Sequence, residues 1–228
     1  MAETIYTIPI NEELEARAQS EEICCPLCNL YKKLESDELS LILGASMMEP
    51  DVRIKTNRLG FCSHHFDKML TNGKRLPLAL MLESHLNELY SEIGKRCASP
   101  EKTVKRIEML DSTCYVCDRV ESNFTRLVSN MVYMWETDEE FRRKFDSQKY
   151  FCISHYARLV SCAKQEMPKK VFKEFAESAQ SIAGSVLEKL CDDVSWFCKK
   201  YDYRYENEPW GDAKDSPERA VKFLSGEL

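Results

Sequence analysis

The chain has 228 residues, 43% of them hydrophobic, enough for one large helical domain or two small ones with a buried core. Its 32 Lys and Arg against 38 Asp and Glu leave a formal charge of -6, which argues against the broad positive surface of a nucleic-acid binder. The opening MAETIYTIPINEELEA lacks a basic and apolar leader, and no later window reaches about 18 uninterrupted apolar residues, so the chain reads as cytoplasmic with no membrane partner.

Only 7 glycines and 8 prolines punctuate the sequence, and apolar residues recur at three- and four-residue spacings, which predicts an all-α fold. The stripe Leu27, Leu30, Tyr31, Leu34, Leu41, Ile42 predicts a helix running to about Gly44, and Asn72-Gly73 marks a helix stop. Pro77 opens a helix carrying Leu78, Leu82, Leu86, Leu89 and Ile93; Ser99-Pro100 starts a short one. Thr137 to Glu140, TDEE, reads as a capping box. Phe172, Phe175, Ala179, Ile182, Val186, Leu190, Val194 and Phe197 form one stripe, predicting a helix of roughly 30 residues. An aromatic stretch, YDYRYENEPWG, follows, and Ser216-Pro217 caps a final short helix ending near Leu224.

Eleven cysteines in a chain read as cytoplasmic are better explained by metal ligation than by disulfides. Cys25 and Cys28 form a CxxC, followed by Cys62 and His65 as CxxH. Cys114 and Cys117 form a second CxxC, followed by Cys152 and His155, at offsets of 89, 89, 90 and 90 residues. Random placement would give roughly half a CxxC and roughly 0.2 of a CxxH, so two of each in the same order mark an internal repeat. MMEPD at 47 to 51 and MWETD at 134 to 138 extend it, as do Phe61 and Phe151 before the third cysteine.

In a CxxC both sulfurs turn to one side, and a helix start supplies N–H groups that stabilise thiolates; a CxxH at i and i+3 presents sulfur and imidazole on one helix face. Closing the short gap inside each copy would join Cys25, Cys28, Cys62 and His65 in one site, and Cys114, Cys117, Cys152 and His155 in the other. Three sulfurs and one nitrogen are the donor set of a filled tetrahedral zinc site, which is structural rather than catalytic. Two zinc ions per chain are expected; an iron–sulfur cluster is the less favoured occupant.

Other residues have ordinary explanations beside functional ones. His64 adjoins His65 and competes with it as a ligand, but His65 alone keeps the register of Cys152 and His155. His85 lies on an apolar stripe at the repeat position of Phe175, where a buried hydrogen-bonded histidine is the expectation. Cys24, in ICCPLC, could form a redox dithiol with Cys25, yet the βαβ pattern of thioredoxin-type motifs is missing. Cys97, Cys162, Cys191 and Cys198 read as small buried hydrophobes. Glu49, Asp51, Glu136 and Asp138 recur between copies and fit helix starts better than an acid/base set. Tyr201, Tyr203, Tyr205 and Trp210 suit either a partner surface or packing of the tail onto the bundle. No HExxH, phosphate loop or GxSxG is present, so no reaction is nominated.

The stretches IYTIPIN, EPDVRIKTNRLGFCSHHF and LALMLESH resemble a bacterial family of uncharacterised proteins, domain of unknown function 6062. The resemblance covers most of the chain, includes Cys25, Cys28, Cys62 and His65, and implies a bacterial cytosolic protein without supplying catalytic residues.

The expected architecture is therefore all-α: a first CxxC/CxxH helical unit at 1–98, a second at 99–200, and an aromatic tail with a short helix at 201–228. Each unit carries a Cys3His metal site. The expected role is a zinc-binding interaction or adaptor module with a protein partner. The alternative is a thiol or metal-based redox sensor or oxidoreductase using the CxxC motifs.

Overall fold

The structure is a computed structural model that describes residues 4–20, 24–94 and 99–226. Among these residues there is no strand, as the three- and four-residue spacing requires. In chain order the helices are α1 (Thr4–Gln19), α2 (Pro26–Ile42), α3 (Pro50–Leu59), α4 (Ser63–Asn72), α5 (Arg75–Leu89) and α6 (Pro100–Ser112). They continue with α7 (Tyr115–Thr137), α8 (Glu139–Asp146), α9 (Ile153–Glu166), α10 (Lys169–Lys199) and α11 (Ser216–Ser225).

Local chemistry sets most of these boundaries. Gly73 ends α4 in the left-handed conformation at φ 80°, and the Ser99 hydroxyl accepts the Lys102 N–H in front of Pro100 at the start of α6. α10 runs for 31 residues, as the long apolar stripe predicts, and buries Phe175, Ala179, Ile182, Ala183 and Leu190.

Several boundaries differ from expectation by one or two residues. α5 begins at Arg75, ahead of Pro77. The cap of α8 is Asp138, whose Oδ1 accepts the Glu140 and Phe141 N–H groups; Thr137 remains inside α7, its hydroxyl donating to the Tyr133 carbonyl. The acidic side chain wins because Thr137 already has a partner four residues back. Asp215, not Ser216, precedes α11, and Ser216 is fully buried at its first position. α1 has Pro9 inside it; burial of Tyr6, Ile10 and Leu14 along one face offsets the hydrogen bond that proline removes.

The chain divides into two compact units, one of residues 1–32 and 124–228, the other of residues 33–123. These boundaries are not those of the repeat, because each copy sends its CxxC to one unit and its CxxH to the other. In the first unit Trp135, Phe141, Phe145, Phe151 and Phe175 are fully buried, with the Trp135 and Phe175 rings edge to face at 5.1 Å. In the second, Leu39, Ile42, Leu43, Met69, Leu78, Met81, Val116 and Val120 are among the buried apolar residues.

Candidate metal centres

Each ligand pair sits at a helix N-terminus. Cys62 and Cys152 precede α4 and α9 with extended backbone, at φ -72° and -67°, and their carbonyls accept the N–H groups of Phe66 and Tyr156. Cys25 and Cys114 stand just ahead of α2 and α7 and accept from Asn29 and Asp118 in the same way. The second residue of each pair is the third of its helix. Side chains at the cap and at the third position converge, the geometry of a capping box with metal donors in place of the usual polar pair.

The structure gathers these four helix starts into two quartets, and the grouping corrects the expected one. Cys25 and Cys28 meet Cys152 and His155; Cys62 and His65 meet Cys114 and Cys117. Each CxxC thus closes on the CxxH of the other copy, not on its own. The donor set is unchanged, because the repeat supplies identical partners in either arrangement.

Zn–S bonds of about 2.3 Å and Zn–N bonds of about 2.0 Å at tetrahedral angles require S···S separations of about 3.8 Å and S···N separations of about 3.5 Å. In the first quartet Cys28 Sγ lies 3.8 Å from Cys152 Sγ, and His155 Nδ1 lies 3.5, 3.4 and 3.2 Å from Cys25, Cys28 and Cys152. In the second, Cys62 and Cys117 sulfurs are 3.9 Å apart, with His65 Nδ1 3.2, 3.3 and 3.4 Å from Cys62, Cys114 and Cys117. Both cages fit one tetrahedral ion, and all four vertices are protein atoms.

Electrostatics favour a cation in each. Burial, reinforced by the Cys152 and Cys28 sulfurs, pushes the Cys25 thiol well up. Burial followed by Cys114 does the same to Cys117, and burial raises Cys114. Cys152 goes the other way, to about 3, because the Cys25 and Cys28 thiols donate to it and the His155 and Ser154 N–H groups add to them against burial. Three sulfurs so close cannot all ionise unaided; a dication allows it. The resulting charge of about -1 is met by two helix N-termini of roughly half a positive charge each.

His65 has a further partner, which the sequence reading missed. With Nδ1 turned to the sulfurs, Nε2 donates to Glu35 Oε1 at 3.1 Å, while exposed His64 donates to the same oxygen at 3.0 Å and Lys68 pairs with the other. His64 is therefore outside the ligand set and behind it. Burial raises the Glu35 carboxyl, but Lys68 and His64 outweigh it and hold the group below the usual carboxylate range. A carboxylate behind a ligand histidine fixes its tautomer and strengthens it as a donor. His155 instead meets the Phe124 ring at 5.2 Å, and the Arg158 guanidinium lies over that ring at 4.8 Å from its centroid.

The comparisons with known proteins add a family. The profile of DUF6062, a family of unknown function, matches residues 1–228. The chain belongs to this family. No curated protein and no solved structure gives a significant match.

The remaining candidates of this DUF6062 chain stand apart from both quartets. His85 is half-buried beside Gly60, its Nδ1 without a hydrogen-bond partner, and burial followed by the Arg106 guanidinium keeps its pKa below the usual value. The expected hydrogen-bonded core histidine is thus only partly realised. Cys24 is buried with Arg17 Nη1 2.9 Å from its sulfur; Cys162 is half-buried; Cys191 and Cys198 are exposed, against the expectation of burial. Cys97 lies outside the described residues. Asp51 is in the first turn of α3, Glu49 precedes that helix, and Asp138 caps α8, while Glu136 falls in the last turn of α7. The tail folds back on α10: Lys200 Nζ donates to the carbonyls of Tyr205, Glu206 and Glu208, and Trp210 packs on Phe197 at 5.6 Å. Tyr201 and Tyr203 are left exposed.

Proposed function

We propose that this chain is a structural-zinc protein in which each quartet holds one Zn²⁺, and that its role is as an interaction or adaptor module of the cytoplasm without catalytic chemistry. The observation that carries the reading is the closed cage. All four donors are side chains, which leaves no coordination position for substrate or water. Ligand atoms within 4.8 Å of one another enclose a single ion more readily than a multi-iron cluster. Exposed Tyr201 and Tyr203 are candidate contacts for a protein partner.

Elemental analysis of protein purified without added metal, with its visible spectrum, tests the assignment. About two zinc ions per chain and a colourless solution support it; a coloured iron protein, or one with no metal and no affinity for zinc or cadmium, overturns it.

A second reading, a thiol-based sensor, draws on Cys62 and Cys117, which are only half-buried. In it two metal-bound thiolates give two electrons to peroxide, which takes two protons from solvent and becomes two waters while a disulfide forms and the ion leaves. A structural site keeps its zinc under mild peroxide, whereas a sensor releases it in step with thiol loss.

A further inference from the structure

The two cages share a donor set and differ in everything around it. Cys25, Cys28, Cys152 and His155 are all buried, and Phe124, itself fully buried, covers the imidazole. In the other cage Cys62 and Cys117 are only half-buried, and the imidazole of His65 rests on the Glu35 carboxylate. Glu35 and Phe124 are repeat equivalents, each ten residues after the first cysteine of its CxxC. One position has therefore diverged into an ionic support in one copy and an apolar lid in the other.

Resting on the reading that both cages hold an ion, we propose that the ions are retained by different means. Burial retains the ion of Cys25, Cys28, Cys152 and His155. The ion of Cys62, His65, Cys114 and Cys117 is retained by the Glu35–His65 contact and is the exchangeable one, because exchange needs an incoming ligand to approach a ligand cysteine, and of the two cages only this one has cysteines that are partly exposed. Glu35 is a positioning residue: it holds the Nε2 hydrogen of His65 and so keeps Nδ1 as the donor. Lys68 on its second oxygen neutralises a carboxylate that would otherwise face an anionic cage. In the cluster Glu35, His64 and His65, a neutral imidazole that gives Nδ1 to the cage keeps its proton on Nε2, so His65 faces Glu35 as a hydrogen-bond donor and not as a second metal ligand.

Zinc-loaded protein mixed with excess 4-(2-pyridylazo)resorcinol tests this. Two phases of one ion each are expected, with iodoacetamide labelling Cys62, Cys114 and Cys117 during the fast phase and Cys25, Cys28 and Cys152 only in the slow one. Glu35→Gln should weaken the fast site by about 10- to 100-fold and leave the slow phase in place. It should also move the visible bands of only one ion in cobalt-substituted protein. Phe124→Leu should accelerate the slow phase alone. Release in one phase with all six cysteines labelled together, or equal weakening of both sites by Glu35→Gln, overturns the proposal while leaving the metal reading intact. Protein that binds no ion overturns both. Should Glu35→Gln not fold, the labelling order in the unmodified chain decides.

Discussion

His65 and His155 hold the same place in the repeat, three residues after a capping cysteine, and differ in what stands behind the ring. The sequence carried a signal for this difference. Glu35 and Glu38 fall in register with the stripe Leu27, Leu30, Tyr31, Leu34, Leu41 and Ile42, and acidic residues on an apolar face are buried only when something pairs with them. Both are buried, Glu35 against His65 and Lys68, Glu38 within 3.5 Å of Arg119. What spacing alone did not show was the partner. Gly60 is a second residue whose role emerges only in three dimensions. Its carbonyl accepts the Tyr115 N–H, tying the chain before Cys62 to the start of α7, at φ 64° and ψ -160°. A Cβ there would stand 2.9 Å from Leu110 Cδ2. Gly60→Ala should therefore cost about 1–3 kcal/mol, read as a lower urea midpoint at unchanged slope. A midpoint equal to that of the parent chain would show that the loop relaxes freely.

At the scale of helices, start signals were the most legible feature, because caps and first-turn residues act locally. The errors were of one or two residues and had local causes. Thr137 and Asp138 are both competent caps, and the choice fell to the side chain not already bonded inside α7. Asp138→Ala should lower stability by about 1 kcal/mol, and Thr137→Ala by under about 0.5 kcal/mol. Thermal midpoints of the two variants distinguish the cap from its neighbour; a larger loss at Thr137 would reverse the assignment. Gly184 lies in the interior of α10, exposed, with nothing within 4 Å of where a Cβ would be. Gly184→Ala should stabilise the protein by about 0.5–1 kcal/mol, since alanine restricts the unfolded chain and fits the helix. Destabilisation in the same assay would mean that this face is covered in the folded protein.

For the molecule as a whole, the sequence made the eight donors legible, but the partition read from it, each CxxC with the CxxH of its own copy, is the reverse of the one the structure shows. Cys28 and Cys62 are 34 residues apart, Cys28 and Cys152 124. Loop-closure entropy favours the nearer partner by only about 1 kcal/mol, because closing a loop costs about 0.6 kcal/mol per doubling of length. Ordinary packing differences exceed that, so a duplicated sequence can exchange its half-sites at almost no entropic cost. The exchange also makes each ion a clamp between distant segments, which local closure would not. Removing the ions with excess chelator at neutral pH should therefore abolish most of the cooperative thermal transition, since structural zinc contributes on the order of 10 kcal/mol per site in small peptides. Calorimetry with and without chelator checks this; an unchanged transition would leave the cages without structural weight. The partition itself is tested most directly by correlating cysteine Hβ protons with ¹¹³Cd in cadmium-substituted protein. One cadmium resonance should couple to Cys25, Cys28 and Cys152, and the other to Cys62, Cys114 and Cys117. A resonance shared by Cys25, Cys28 and Cys62 would contradict the exchanged arrangement.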